Sequence, residues 1–262
     1  MTQYKSDTTT TIDYERLTGF DCAWQVSSRH VDLFWSYFRG RFGRTLTDLK
    51  QEGVVQVVLP YTHKPLRVPG HRGTEWSVYM LVLAEENTDI PQLTQTIFNT
   101  EHVDAGRDIA TLACVNQIRP QPQLGMIYPL KGGRTRESRM FQSIEYVFSD
   151  PAQREHYYQS QYEFSGPAMQ QLYKQDIVGR FIGVEIVDRL IDTPNMPEWD
   201  VVHLSGFRIP KVLRSIPRIL RMWNEVAEAL GSPTAMERVR TWQSQRTKYV
   251  RNIRQQSRLT LD

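Results

Sequence analysis

An imidazole titrates near neutral pH, so it can take a proton from a carbon acid or give one to a leaving oxygen. Of the six histidines, His102 is the leading candidate for that work and His203 the alternative. His102 is flanked by Glu101 and Asp104, but adjacent residues on a helix diverge and need not orient the ring. The plain alternative is a helix-end histidine at the surface. His203 falls in an alternating stretch where Trp199, Val201, His203 and Ser205 share one face. It either points into a pocket between sheet and helices or is a satisfied core histidine. Twelve tyrosines accompany them. Tyr79 and Tyr146 are candidate catalytic donors to a developing enolate oxygen, and Trp76, Tyr158 and Tyr162 are candidate walls for a planar substrate. An aromatic core is the competing explanation for most of them. Trp76 and Val78 share one strand face and Ser77 and Tyr79 the other, so at most one pair faces a cavity. Arg139, and with it Arg180, precedes a strand and could meet an anionic substrate group, against the plainer reading of a solvated cation.

Other chemistries lack their patterns. His63 and His71 lie in a proline-rich loop and His156 precedes a tyrosine pair, with no HxxxH or HxH spacing, so a tight metal site is not expected. Cys22 and Cys114 stand far apart, which excludes a disulfide scaffold and a CxxC motif. Gly125, Gly132 and Gly133 lack the spacing and the following Lys-Ser/Thr of a phosphate loop, and no Gly-x-Ser-x-Gly elbow occurs. No apolar run approaches the roughly 18 residues of a membrane span, and the N-terminus has no basic-then-apolar signal. The expectation is a soluble, cytoplasmic protein. The net charge of +3 hides an asymmetry: the segment from Ser205 onward carries +8, and everything before it −5. Apolar residues are interleaved there, as in a helix with arginines on its wet face, although phosphate or membrane binding is the other use of such a segment.

The elements that must position these residues follow from periodicity. Strands are expected at Phe20–Val26, Gly53–Leu59, Glu75–Leu83, Thr111–Ile118, Met140–Phe148, Phe181–Val187 and Trp199–Leu204. A helix carries Val31, Phe34, Trp35, Phe38 and Phe42, another begins near Ile90, and a third starts at Ser149 or Asp150 with Pro151 at its first position and runs to about Lys174. A strongly amphipathic helix bearing Ile219, Leu220, Trp223, Val226, Ala227 and Leu230 stops at Gly231 and Pro233, and a closing strand is expected around Lys248–Ile253.

The order strand–helix–strand over 76–118 recurs over 141–187, and Phe20–Phe42 matches Val201–Leu230. Each half then supplies two βαβ pieces, the content of a ferredoxin-like unit, with the first half permuted to begin at its third strand. Residues 1–18 are expected as a flexible arm, 19–120 as the first half, 121–138 as a linker and 139–262 as a second half with a basic C-terminal segment.

Within the second half, Tyr157-Tyr158-Gln159-Ser160-Gln161-Tyr162-Glu163-Phe164-Ser165-Gly166-Pro167-Ala168 resembles the helix signature of EthD-type proteins in the dimeric α+β barrel superfamily, aromatics followed by His-Gly-Pro-Leu. Ser165 takes the histidine position, and Gly166 and Pro167 are kept. In the first half Phe98–Ala105 falls in the same register, where His102 keeps the histidine and Val103 and Asp104 replace Gly-Pro. The resemblance implies an α+β fold: two ferredoxin-like halves fused in one chain as a pseudo-dimeric α+β barrel.

It also implies a cofactor-independent enzyme acting on a small apolar, aromatic or polyketide-like metabolite by histidine and tyrosine acid–base chemistry: cyclisation, isomerisation, dehydration or decarboxylation. Two relatives' activities stay open, a quinone-forming monooxygenase and a haem protein with His102, His156 or His203 as axial ligand; so does a non-catalytic binding module. Fold alone does not decide among them. The expected partner is a small-molecule substrate, with no cofactor, nucleic acid or membrane. A homodimer would form through the Val31–Phe42 helix if its aromatics were exposed.

Overall fold

The computed structural model describes residues 14–40, 42–63, 76–98, 109–126, 141–175, 177–193, 198–207, 209–232, 234–244 and 246–253. β-branched and aromatic residues alternate through eight strands: β1 (Leu17–Val26), β2 (Val55–Thr62), β3 (Val78–Glu85), β4 (Ala110–Met126), β5 (Phe141–Ser149), β6 (Val178–Asp192), β7 (Val201–Phe207) and β8 (Arg246–Ile253). They form one sheet in the order β2-β3-β1-β4-β6-β7-β5-β8, with antiparallel neighbours throughout. The sheet curls on itself. β2 and β5 stand near its opposite ends, yet His63, next after β2, touches Tyr146 of β5. One apolar cluster, containing Leu59, Leu81, Ile118, Ile144, Ile182, Val184 and Leu204, fills the concave side.

Helices cover the convex side: α1 (Val31–Gly40), α2 (Phe42–Gln51), α3 (Ile90–Ile97), α4 (Arg154–Ser160), α5 (Gly166–Lys174), α6 (Ile209–Ala229) and α7 (Ala235–Ser244). α4 and α5 are joined by a π-turn at Gln161–Ser165, which makes one continuous helical rod with an extra residue in its ladder. Asp89 caps α3 by accepting from Gln92 N at 3.0 Å, with Pro91 in the first turn; Asp150 and Pro151 start the α4 segment the same way. The fold is α+β and ferredoxin-like in each half.

Several expectations change. β1–β4 are ordered β2-β3-β1-β4 and β5–β8 are ordered β6-β7-β5-β8, so the two halves have the same strand order and the first is not permuted. β1-α1-α2-β2 therefore corresponds to β5-α4-α5-β6, and β3-α3-β4 to β7-α6-α7-β8. The matching of 76–118 with 141–187 paired a second βαβ unit with a first one, because strand and helix lengths are alike in both. Part of the segment expected as an arm is ordered structure: Tyr14 is buried, its hydroxyl donating to Gly183 O at 2.7 Å, and β1 begins at Leu17. Likewise β4 continues to Met126, inside the segment expected as a linker. Phe34, Trp35, Phe38 and Phe42 are buried, which leaves Tyr37 as the one part-exposed aromatic of α1 and α2. The closing strand is β8, and α7 before it was not foreseen. Arg214, Arg218 and Arg221 do lie on the wet face of α6. Among the described residues no helix is long and apolar enough to cross a membrane.

Candidate functional site

Between the α4–α5 rod and the second half of the sheet, strand alternation aims polar side chains at the helices. Val202 and Leu204 belong to the concave core, so Val201, His203 and Ser205 face the rod. His203 is 3% exposed, and its Nε2 lies 3.2 Å from Gln121 Oε1. Its ring sits 5.8 Å from that of Phe181 on β6. Opposite His203 in the β6 register is Gly183, which puts no side chain into this space. Gln121 reaches across because β4 bulges there: Pro120 pairs with Val184 and Gly125 with Ile182, so residues 121–124 stand against Gly183 alone.

The rod answers with Tyr157, Ser160, Gln161, Phe164, Ala168 and Leu172 on its buried side. The π-turn begins at Gln161, a residue with no exposed surface, and among the described residues neither polar atom of its side chain has a hydrogen-bond partner. The same holds for Gln121 Nε2. Such groups each cost about 1–3 kcal/mol when left unmet, so this layer is polar at a measurable expense in stability. At its rim, Arg119 of β4 grips Glu185 of β6 through Nε at 2.7 Å and a second, shorter contact from Nη2. Tyr158 and Tyr162 lean over that carboxylate. Burial, then Glu185, pushes the Tyr158 hydroxyl up to about 12 and raises that of Tyr162. Both tyrosines, with Arg154, Gln159 and Glu163, also line an open groove of about 830 Å³ along the rod. Asp200 fixes the rod's start: its Oδ2 accepts from Ser149 N and Oγ at 2.7 Å, and its Oδ1 from Arg154 Nη2 at 2.9 Å.

The concave side gathers a separate set. Asp21, fully buried on β1, accepts from the Tyr79 hydroxyl at 3.0 Å, from Asn116 Nδ2 at 2.8 Å and from Trp199 Nε1 at 3.4 Å. Burial is the largest influence on its carboxyl and raises it to about 6 against the downward pull of those hydrogen bonds. The Tyr146 hydroxyl and His63 Nε2 are 2.7 Å apart, and Trp76 packs edge-on against Tyr146 at 4.9 Å.

The residues singled out in the sequence thus divide. His203, Tyr158 and Tyr162 share the rod-facing layer of the second half; Tyr79, Tyr146 and Trp76 share the barrel interior. His102 and Arg139 lie outside the described residues. The register that set His102 opposite Ser165 is not the register of the strand order, which sets α1–α2 opposite the rod. Gln121, Gln161, Asp21 and His63 were missed. Asp21 did carry a signal, an acid at the inward position of an otherwise apolar strand; Gln121 carried none, because a bulge is invisible in the pattern. Of the described histidines considered for haem, His203 has its Nε2 engaged with Gln121, and His156 is exposed on α4. Among the described residues no group of three or more His, Cys, Asp or Glu side chains is placed to hold a metal ion.

No family model matches the chain, and no curated protein matches it. Solved structures do. A candidate monooxygenase from Lactobacillus acidophilus NCFM superposes with a TM-score of 0.52 at 8% identity, over 91% of this chain and 93% of that one. An anthrone oxidase-like protein gives 0.46 at 11% identity over 92% of each chain. A variant of the chlorite dismutase from Candidatus Nitrospira defluvii gives 0.41 at 10% identity over 91% of each. At these identities the likeness is one of fold.

Proposed function

We propose that this protein is an enzyme that removes a proton from a small, flat, largely apolar carbon acid held between the α4–α5 rod and the second half of the sheet, with His203 as the base. The observation that carries the reading is the Gln121–His203 pair, buried in a layer where Gln121 Nε2 and the whole Gln161 amide have no partner among the described residues. Gln121 Oε1 can only accept, so in this pair it is an imidazole N–H on Nε2 that it meets. The amide N–H groups of Gln121 and Gln161 are donors of the kind that stabilise a developing enolate oxygen, and they act most strongly where water is excluded. Phe181 supplies a flat wall beside the imidazole, and Tyr158 and Tyr162 the rim.

A proton removed in this way serves cyclisation, isomerisation or decarboxylation. It also yields the electron-rich anion that reacts with dioxygen without a cofactor, so quinone-forming oxygenation is the second reading. The fold likeness to a candidate monooxygenase favours keeping it.

The test requires no knowledge of the natural substrate. Phenolic ketones and aromatic 1,3-dicarbonyls are incubated with the protein in D2O, and loss of the acidic C–H signal is followed by NMR. The expected result is catalysed exchange that His203→Gln abolishes while the circular dichroism spectrum is kept. Exchange catalysed equally by His203→Gln would remove His203 from the role.

A further inference from the structure

The barrel interior holds redox-active side chains that the reading above does not use. Ring centroids stand 4.8 Å apart for Trp76 and Trp199, 4.9 Å for Trp76 and Tyr146, 5.0 Å for Tyr146 and Trp199, and 5.6 Å for Tyr79 and Tyr146. All four residues are at most 1% exposed. A substrate cannot reach rings packed this way without parting the strands, but burial does not stop an electron, which passes readily between aromatic systems in contact.

The two tyrosines differ from ordinary core tyrosines in what holds their hydroxyls. An oxidised phenol is a very strong acid, so a buried tyrosine gives up an electron only where a base is ready for its proton. Tyr79 donates to the Asp21 carboxylate at 3.0 Å, and Tyr146 stands 2.7 Å from His63 Nε2. Asp21 is ionised at neutral pH, yet burial has made it more basic than an ordinary carboxylate. Both partners are themselves buried, His63 at 5% exposure and Asp21 at none, so a proton handed over stays within reach of the oxygen it left.

We propose that the barrel interior is an oxidation relay, in which a one-electron oxidant such as an oxygen-centred radical draws an electron through the Trp76, Trp199, Tyr146 and Tyr79 rings and leaves a neutral tyrosyl radical whose proton rests on His63 or Asp21. The electrons and atoms balance: the oxidant gains one electron, one tyrosine O–H bond breaks, and the proton crosses an existing hydrogen bond. A one-electron reductant from solution, a thiol or an enediol, returns the electron, and the proton moves back to the phenol oxygen. The relay would let a damaging oxidising equivalent rest in the interior, away from the catalytic layer, until it is reduced.

The whole protein is oxidised with photogenerated tris(bipyridyl)ruthenium(III), freeze-trapped and examined by electron paramagnetic resonance, with transient absorption for lifetime. A long-lived neutral tyrosyl radical is expected in the natural chain. It is lost in the Tyr79→Phe, Tyr146→Phe double variant, which keeps both rings and removes only the hydroxyls. Equal radical yield and lifetime in the two proteins overturns the relay, since the radical then resides on other tyrosines. If the double variant does not fold, electron–nuclear double resonance on the natural protein decides. A strongly coupled hydrogen-bond proton that exchanges slowly in D2O supports a buried radical on Tyr79 or Tyr146, and only fast-exchanging, weakly coupled protons contradict it.

Discussion

On the first half of the sheet, α1, α2 and α3 press Phe34, Phe38, Phe42 and Phe98 against Trp24 and Phe20 in one continuous cluster of ring contacts between 5.1 and 6.2 Å. The buried polar groups in that layer are met: Trp35 Nε1 donates to Thr62 Oγ1 at 2.8 Å, and Thr94 Oγ1 to Pro91 O at 2.8 Å. On the second half, with the same strand order, the corresponding layer breaks into three smaller clusters. His203, Gln121, Gln161, Ser160, Ser205 and Glu185 are buried polar side chains in or beside this half. One strand order therefore supports two packings, an aromatic wall and a layer that holds buried polar groups. A sheet face is closed when aromatic volume fills it and is left available for chemistry when stability is given up to polar groups.

The comparison can be broken by substitution. The largest effect belongs to His203→Gln, which should lower catalysed deuterium exchange by roughly 10²–10⁴, the usual worth of a general base, with the thermal transition little changed. Phe38→Ala, in the sealed layer, should act in the opposite sense. Loss of a fully buried phenylalanine costs about 3–5 kcal/mol of unfolding free energy in denaturant titrations, and exchange per folded molecule should survive.

The barrel interior adds a pH effect of its own. Asp21 binds its proton more tightly in the fold, at about 6, than an ordinary carboxyl near 4 does in the unfolded chain. Unfolding free energy is then highest below pH 4, declines through the interval up to about 6 by about 3 kcal/mol, and contributes no slope above it. Asp21→Asn should flatten that interval; an unchanged slope would assign it to other groups. The smallest effect sharpens the polar half: Gln161→Leu should raise stability by about 1–3 kcal/mol by removing two unmet polar groups, while weakening exchange. A Gln161→Leu protein that is both more stable and fully active would make the polar layer mere imperfect packing.

Much of the fold was legible. Strands such as Val55–Thr62 and Val201–Phe207 show their alternation openly, and Asp150-Pro151 announces its helix. The strand order was not, because β1-α1-α2-β2 and β3-α3-β4 look alike in pattern while only tertiary pairing distinguishes them. Spacing set Val201, His203 and Ser205 on one face, but it also set Trp199 there, whereas Trp199 precedes the strand and packs in the concave cluster with Val202 and Leu204. The partner of His203, Gln121, could not be placed, because the β4 bulge that turns it inward depends on Gly183, far along the chain. Tyr79 and Tyr146 were expected as donors to a substrate oxygen; their partners are instead Asp21 of β1 and His63 just after β2, distant in sequence.

The contrast between the sealed and the polar layer is tested most directly by mapping where a small aromatic carbon acid binds. Chemical-shift changes in the isotopically labelled protein, titrated with a phenolic ketone, should gather at Gln121, Gln161, Phe181 and His203, with Trp24, Phe34 and Phe38 unmoved. Shifts gathered at Trp24 and Phe38 instead, or confined to the open groove beside Arg154 and Glu163, would contradict the account.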